Sequence, residues 1–318
     1  MLQNISHKTK QFFFVLVKIG VVVAAFYFIY NKLTKDPDLD FYHFLDLVIQ
    51  SNLITLKTCS VLLVLTCLNW YLEIMKWRVL VTTLAPISFY KAAEQCLSAL
   101  TASLFTPNRV GEYGVKALYY KASKRKQIVA LNLIGNSLQM AVTIGFGCFG
   151  LSVFVRSFNT KLATVNISIF LLGTLFFGLT LLFIVYKLKN KWLFLDTTLG
   201  YFKNIPCKTY ALAFLFSVVR YGIFSFQFYF VLALFNNAIT FYQAFIGITS
   251  MYLLVSIIPS IVIFDVLVKT SVAIYIFQFL DISSVSVLST VTVMWLLNFV
   301  FPSIFGSIFV LKLPLPKS

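Results

Sequence analysis

Two short strings place opposite charges inside apolar sequence, each soon after a proline. The first is Thr106-Pro107-Asn108-Arg109-Val110-Gly111-Glu112-Tyr113-Gly114, with Arg109 and Glu112 three residues apart. The second is Ile258-Pro259-Ser260-Ile261-Val262-Ile263-Phe264-Asp265-Val266-Leu267-Val268-Lys269, with Asp265 and Lys269 four apart. On a helix either spacing puts both side chains on one face, so each string can close an ion pair. Pro107 and Pro259 lack an amide hydrogen and push the preceding residue toward extended geometry, so both are expected to break a helix. Gly111 and Gly114 leave room for another backbone to approach. A lone Arg in hydrocarbon costs at least about 2.5 kcal/mol, so a charge kept there marks a candidate binding or gating site. A solvated pair at an interfacial turn is the other reading of both strings. It is weaker for the second, where Asp265 and Lys269 are the sole charges between Tyr221 and Leu280.

Two further basic features could meet an anion. Lys121, Lys124, Arg125 and Lys126 follow the first string directly and suit anionic headgroups at a membrane surface. They also suit a pure topology signal. Arg220 lies within an apolar run, so it is expected to face other helices, where it either binds a phosphate or pairs with an acid such as Glu94.

The elements that must position these residues follow from composition. Of 318 residues 60% are hydrophobic and 11% charged, against about 25% charged in soluble domains. Apolar stretches of about 20 residues recur, the length a helix needs to cross hydrocarbon. The alternating segments of about 10 residues that build a barrel do not. The expected fold is an all-α polytopic membrane protein, a single transmembrane domain over 1–318. Six spans are expected at about 11–30, 53–75, 128–155, 163–186, 210–235 and 285–311. The first reads as a retained signal anchor, since it is longer than a signal-peptide core and lacks a small-residue exit.

Two more apolar regions, about 88–120 and 241–280, are interrupted by Pro and charge. Basic residues mark both sides of 88–105: Lys76, Arg78 and Lys91 in the stretch from Glu73 to Lys91, and Arg109, Lys116, Lys121, Lys124, Arg125 and Lys126 in the stretch from Arg109 to Lys126. Both ends are therefore expected on the cytoplasmic side. The region then reads as a re-entrant hairpin. The second region, bounded by Asn236-Asn237 and Asp281, reads as a hairpin entering from the opposite face. Both termini fall in the cytoplasm, with the chain in the inner (plasma) membrane. Two hairpins in inverted arrangement match the broken-helix plan of transporters. Pairs of ordinary short or interfacial helices are the alternative.

The net charge of +16 is explained by these clusters at span ends, so nucleic-acid binding is not expected. Cys59, Cys67, Cys96, Cys148 and Cys207 form no CxxC pair, and His7 and His43 are the only histidines. Neither a disulfide framework nor a metal or other cofactor is expected. Asp36, Asp38 and Asp40 form an acid cluster that reads as a solvated loop. The sequons at Asn4 and Asn166 fall in no clear external loop, and no GxxxxGK[ST] loop is present.

The first string, with the basic KALYYKASKRK tail after it, resembles the TPxRxGE signature of the lysylphosphatidylglycerol synthase transmembrane family. The second resembles that family's later Pro…Glu…Arg motif, with Asp265 and Lys269 standing where Glu and Arg are usual. Lys lacks the planar fork with which Arg grips phosphate or carboxylate. The resemblance runs from about residue 10 to 312. It implies facing re-entrant hairpins and the movement of aminoacylated phospholipid between leaflets. It also implies a stand-alone member without the soluble aminoacyl-transferase domain. The expected function is a lipid flippase or transporter and not an enzyme. The expected ligand is a membrane lipid with an anionic or aminoacylated headgroup, and a homo-oligomer is left open. A membrane enzyme acting on a lipid-linked sugar or phosphate, and a non-transporting membrane subunit, are the competing readings.

Overall fold

The computed structural model describes residues 49, 53–104, 106, 109–158, 205–235, 239–258 and 262–313, the side chains of 262–267 excepted. The expected spans at 11–30 and 163–186, the sequons, both histidines and Asp36–Asp40 lie outside the described residues. So do Pro107, Pro259 and the Asp265 side chain.

Among the described residues the chain is helical throughout. Four helices are long and apolar enough to cross a membrane: α1 (Leu56–Thr82), α4 (Ala122–Phe158), α5 (Cys207–Phe235) and α8 (Ser284–Leu311). They correspond to expected spans and run past them, α1 by a further seven residues beyond 75. Between them lie α2 (Phe89–Ser103), α3 (Val110–Leu118), α6 (Phe241–Ile257) and α7 (Val262–Phe277).

Side-chain caps set several starts. The Thr55 hydroxyl accepts from the Thr58 amide, Ser88 from Lys91 and Ser283 from Ser286. Thr240 and Gln243 close a reciprocal box at the head of α6.

Contacts between helices give their directions. The Gln227 amide donates to the Leu62 carbonyl and the Thr66 hydroxyl, whereas Arg220 meets Glu73, so α5 runs antiparallel to α1. Tyr90 packs edge-on to Phe309, and Thr101 donates to the Ser303 carbonyl, so α2 runs antiparallel to α8. Gly306 makes this approach close, since a Cβ there would collide with the Leu97 carbonyl and the Thr101 hydroxyl. The Lys124 ammonium donates to the Leu84 carbonyl, placing the head of α4 beside the tail of α1.

One end of the bundle thus gathers Leu84, Tyr90, Lys124 and Phe309. The other gathers the tail of α4 with the turn after α7, through the ring contact of Phe154 with Phe279. In each interrupted region two short helices pack antiparallel. In the first, α2 runs inward from the Tyr90 end and α3 runs back, its tail tied to α2 by Ser98–Tyr119 and Gln95–Tyr120 hydrogen bonds. In the second, α6 runs inward and α7 returns, so that Phe277 packs on Phe228 and would crowd a Cβ at Gly247.

Candidate functional site

Described residues from both interrupted regions line a cavity of about 740 Å³, within the range of roughly 300–1,000 Å³ that small-molecule sites occupy. From the first unit come Arg109, Glu112, Tyr113 and Lys116; from the second, Ser256, Ile258 and Lys269. The long helices add Asn69, Glu73, Gln139 and Arg220, and Tyr221, Phe224 and Phe299 form an aromatic wall with Tyr252 of α6.

Arg109 caps α3 in a left-handed conformation, φ 58° and ψ 29°, uncommon for a residue with a Cβ. The Thr106 hydroxyl accepts from the Gly111 amide at 2.7 Å, anchoring the helix start. A Cβ on Gly111 would stand 2.6 Å from the Ala102 carbonyl oxygen, so the close approach expected of this glycine is real. Gly114 has nothing within 4 Å of a built Cβ and plays no such part.

Two carboxylates organise the charge. Glu112 lies in the first turn of α3 with Arg109 Nη2 at 3.4 Å and Lys116 Nζ at 2.8 Å. Lys116 also donates to Asn132 Oδ1 and sits 4.3 Å from the centre of the Trp77 ring. Glu73 Oε2 lies 2.7 Å from Lys76 Nζ and 2.8 Å from Arg220 Nη1.

Arg220, expected either to bind a phosphate or to pair with an acid such as Glu94, pairs with Glu73, nine residues before the end of α1. Glu94 is held instead by Lys91 at 2.8 Å. Arg220 is further fixed by Asn69 Oδ1 at 3.1 Å and Gln139 Oε1 at 3.4 Å.

From Asn69 an amide chain crosses the bundle: Asn69 donates to Asn298, Asn298 to Gln227, and Gln227 to Thr66. Asn298 stands in a π-helical turn, Leu296–Val300. Pro302, four residues on, cannot donate to the Asn298 carbonyl, and its ring crowds that oxygen. The freed carbonyl accepts from Trp70 Nε1 at 3.3 Å.

Sequence reasoning named Arg109, Glu112, Arg220 and Lys269, and the structure brings all four to one cavity. Lys269 lies 5.0 Å from the centre of the Phe299 ring. Asp265 is one helical turn before it on α7. The basic cluster lies apart from the cavity: Lys121 precedes α4, and Lys124, Arg125 and Lys126 form its first turns, with Arg125 donating to the Tyr120 carbonyl.

Sequence reasoning missed Glu73, Lys76 and Lys116. Lys76 and Lys116 were counted as cytoplasmic charges, yet their side chains are 3% and 2% exposed. Both lie on one helical face with an acid, Glu73 to Lys76 at i,i+3 and Glu112 to Lys116 at i,i+4. That spacing was the signal available.

The fold and site define a class: an all-helical membrane protein, so marked by its four apolar helices of spanning length, with a charged cavity in its interior. Compared with models of protein families, with curated proteins and with solved structures, the chain matches none.

Proposed function

We propose that this protein is a lipid flippase or transporter, in which the cavity takes the polar headgroup while the acyl chains stay in hydrocarbon. One observation carries the reading: a charged cavity is lined by residues of both interrupted regions, Arg109 and Glu112 from one and Ser256 and Lys269 from the other, inside a bundle with apolar helices of spanning length. Irregular backbone at membrane depth is tolerated where it lines a polar cavity, and broken helices meeting from opposite faces are the plan of secondary transporters.

The reading includes six spans, two inverted re-entrant hairpins, residence in the plasma membrane and cytoplasmic termini. It is supported by the opposite ends from which the α2–α3 and α6–α7 units enter, and by the basic residues Lys91, Lys121 and Lys124 gathered at one of those ends. Kinship with the lysylphosphatidylglycerol synthase transmembrane family belongs to the same proposal.

Purified protein in liposomes with leaflet-specific fluorescent phospholipids tests it. Wild type is expected to exchange label between leaflets. Arg109→Glu is expected to insert normally and lose exchange, because it sets a carboxylate against Glu112 at the cavity wall. Full exchange by Arg109→Glu would remove the site assignment. Absence of exchange of any lipid by wild type would remove the function.

A further inference from the structure

Each cavity carboxylate is held by two cations, and the two cations differ in kind. Glu73 lies between Lys76, 3% exposed, and Arg220, 21% exposed. Glu112 lies between Lys116, 2% exposed, and Arg109, 45% exposed. In both triplets a sealed lysine neutralises the carboxylate, and an arginine is left as the surplus charge with its guanidinium at the cavity. Each triplet is therefore +1, and the pair of them gives the site a charge of +2. This surplus is counted from the two triplets alone, without Lys269.

Arginine is the side chain whose planar fork fits phosphate oxygens two at a time, while an ammonium acts as a point charge. The division of labour places the fork-shaped donors at the cavity and the point charges behind the carboxylates. Low-dielectric surroundings strengthen every charge interaction there relative to water.

Resting on the headgroup-carrier reading, we infer that the ligand of this cavity is a phosphate-bearing group of net negative charge, and that cationic aminoacylated headgroups are excluded. A phosphodiester or phosphomonoester entering between Arg109 and Arg220 finds the surplus its charge requires. A lysyl-bearing headgroup would bring ammonium groups into a site already positive, with Glu73 and Glu112 both occupied by lysines.

Transport in phosphatidylcholine liposomes doped with one labelled lipid at a time tests this. The panel is phosphatidylglycerol and phosphatidic acid (anionic), phosphatidylcholine (zwitterionic) and lysylphosphatidylglycerol (cationic). Anionic lipids are expected to cross faster than the cationic one by about tenfold or more, and Arg220→Gln or Arg109→Gln should erase the preference. Equal or faster movement of the cationic lipid overturns the inference and leaves transport standing.

If no lipid moves, the transport reading falls, and the charge inference is decided by binding in detergent. There, glycerol phosphate should raise the melting temperature and lysine methyl ester should not; the reverse order overturns it. Uptake of inorganic phosphate into the same vesicles separates the two sources of such an anion. Uptake without lipid exchange assigns the site to free phosphate, and lipid exchange without uptake assigns it to a headgroup.

Discussion

Glu73 shares one oxygen between Lys76 and Arg220, so the consequences of removing each member differ in kind. Glu73→Gln leaves the buried Lys76 facing the half-buried Arg220 with no counter-charge, and breaking a buried pair in this way costs about 3–5 kcal/mol. Arg220→Gln leaves the Glu73–Lys76 pair whole and should cost a fraction of that. Glu73→Gln combined with Lys76→Met removes one cation along with the carboxylate and should recover most of the loss. Thermal unfolding in detergent reads all three; equal midpoints for Glu73→Gln and Arg220→Gln would contradict the shared-carboxylate account. Legibility at this scale followed position in the apolar pattern. Arg220 stood out because no other charged residue lies between Lys208 and Asp265. Lys76 and Lys116 did not, because each lies near basic residues at the edge of an apolar run, where burial and a solvated loop look alike. Helical spacing to Glu73 and Glu112 separates the two cases, and only the folded chain shows that Arg220 reaches Glu73 from another helix.

The interrupted elements were legible to the extent that their breakers are local. Pro107 and Pro259 announced that the regions 88–120 and 241–280 could not be single helices, and α2–α3 and α6–α7 are the result. The π-helical turn of α8 was not foreseen, although its cause is also a proline. Pro302 continues the helix while freeing the Asn298 carbonyl, and the outcome depends on Trp70 being present on α1 to take that oxygen. The start of α3 rests on Gly111, where a Cβ would stand 2.6 Å from the Ala102 carbonyl oxygen. Gly111→Ala must move backbone against backbone, and a loss of about 1–3 kcal/mol is expected from overpacking of this sort. Gly114→Ala meets open space and should be neutral or slightly stabilising, since Ala is the better helix former. Melting temperatures of the two variants in detergent provide the comparison, and similar losses at both positions would show that the turn is not held by this contact.

At the scale of the whole molecule, charge placement in the sequence and helix direction in the structure bear on the same question, which end of the bundle each loop occupies. Lys124 touches the Leu84 carbonyl, and Tyr90 packs on Phe309, so Ser123 lies at the end that also holds the tail of α8. Asn298 lies at cavity level through its bond to Asn69. Ser284 begins α8 fourteen residues earlier, about 21 Å further along the axis at 1.5 Å per residue, toward the opposite end. Both serines are exposed. If the bundle axis is the membrane normal, Ser123→Cys and Ser284→Cys should be labelled from opposite sides by an impermeant maleimide. The background must lack Cys67 and Cys207, which are exposed themselves. The positive-inside bias predicts which side is which: Ser123, amid Lys121, Lys124, Arg125 and Lys126, is the cytoplasmic one. Opposite labelling with Ser284→Cys reached from outside would support a cavity approached by one hairpin from each leaflet. Labelling of both from one face would break the inverted arrangement and, with it, the route proposed for the headgroup.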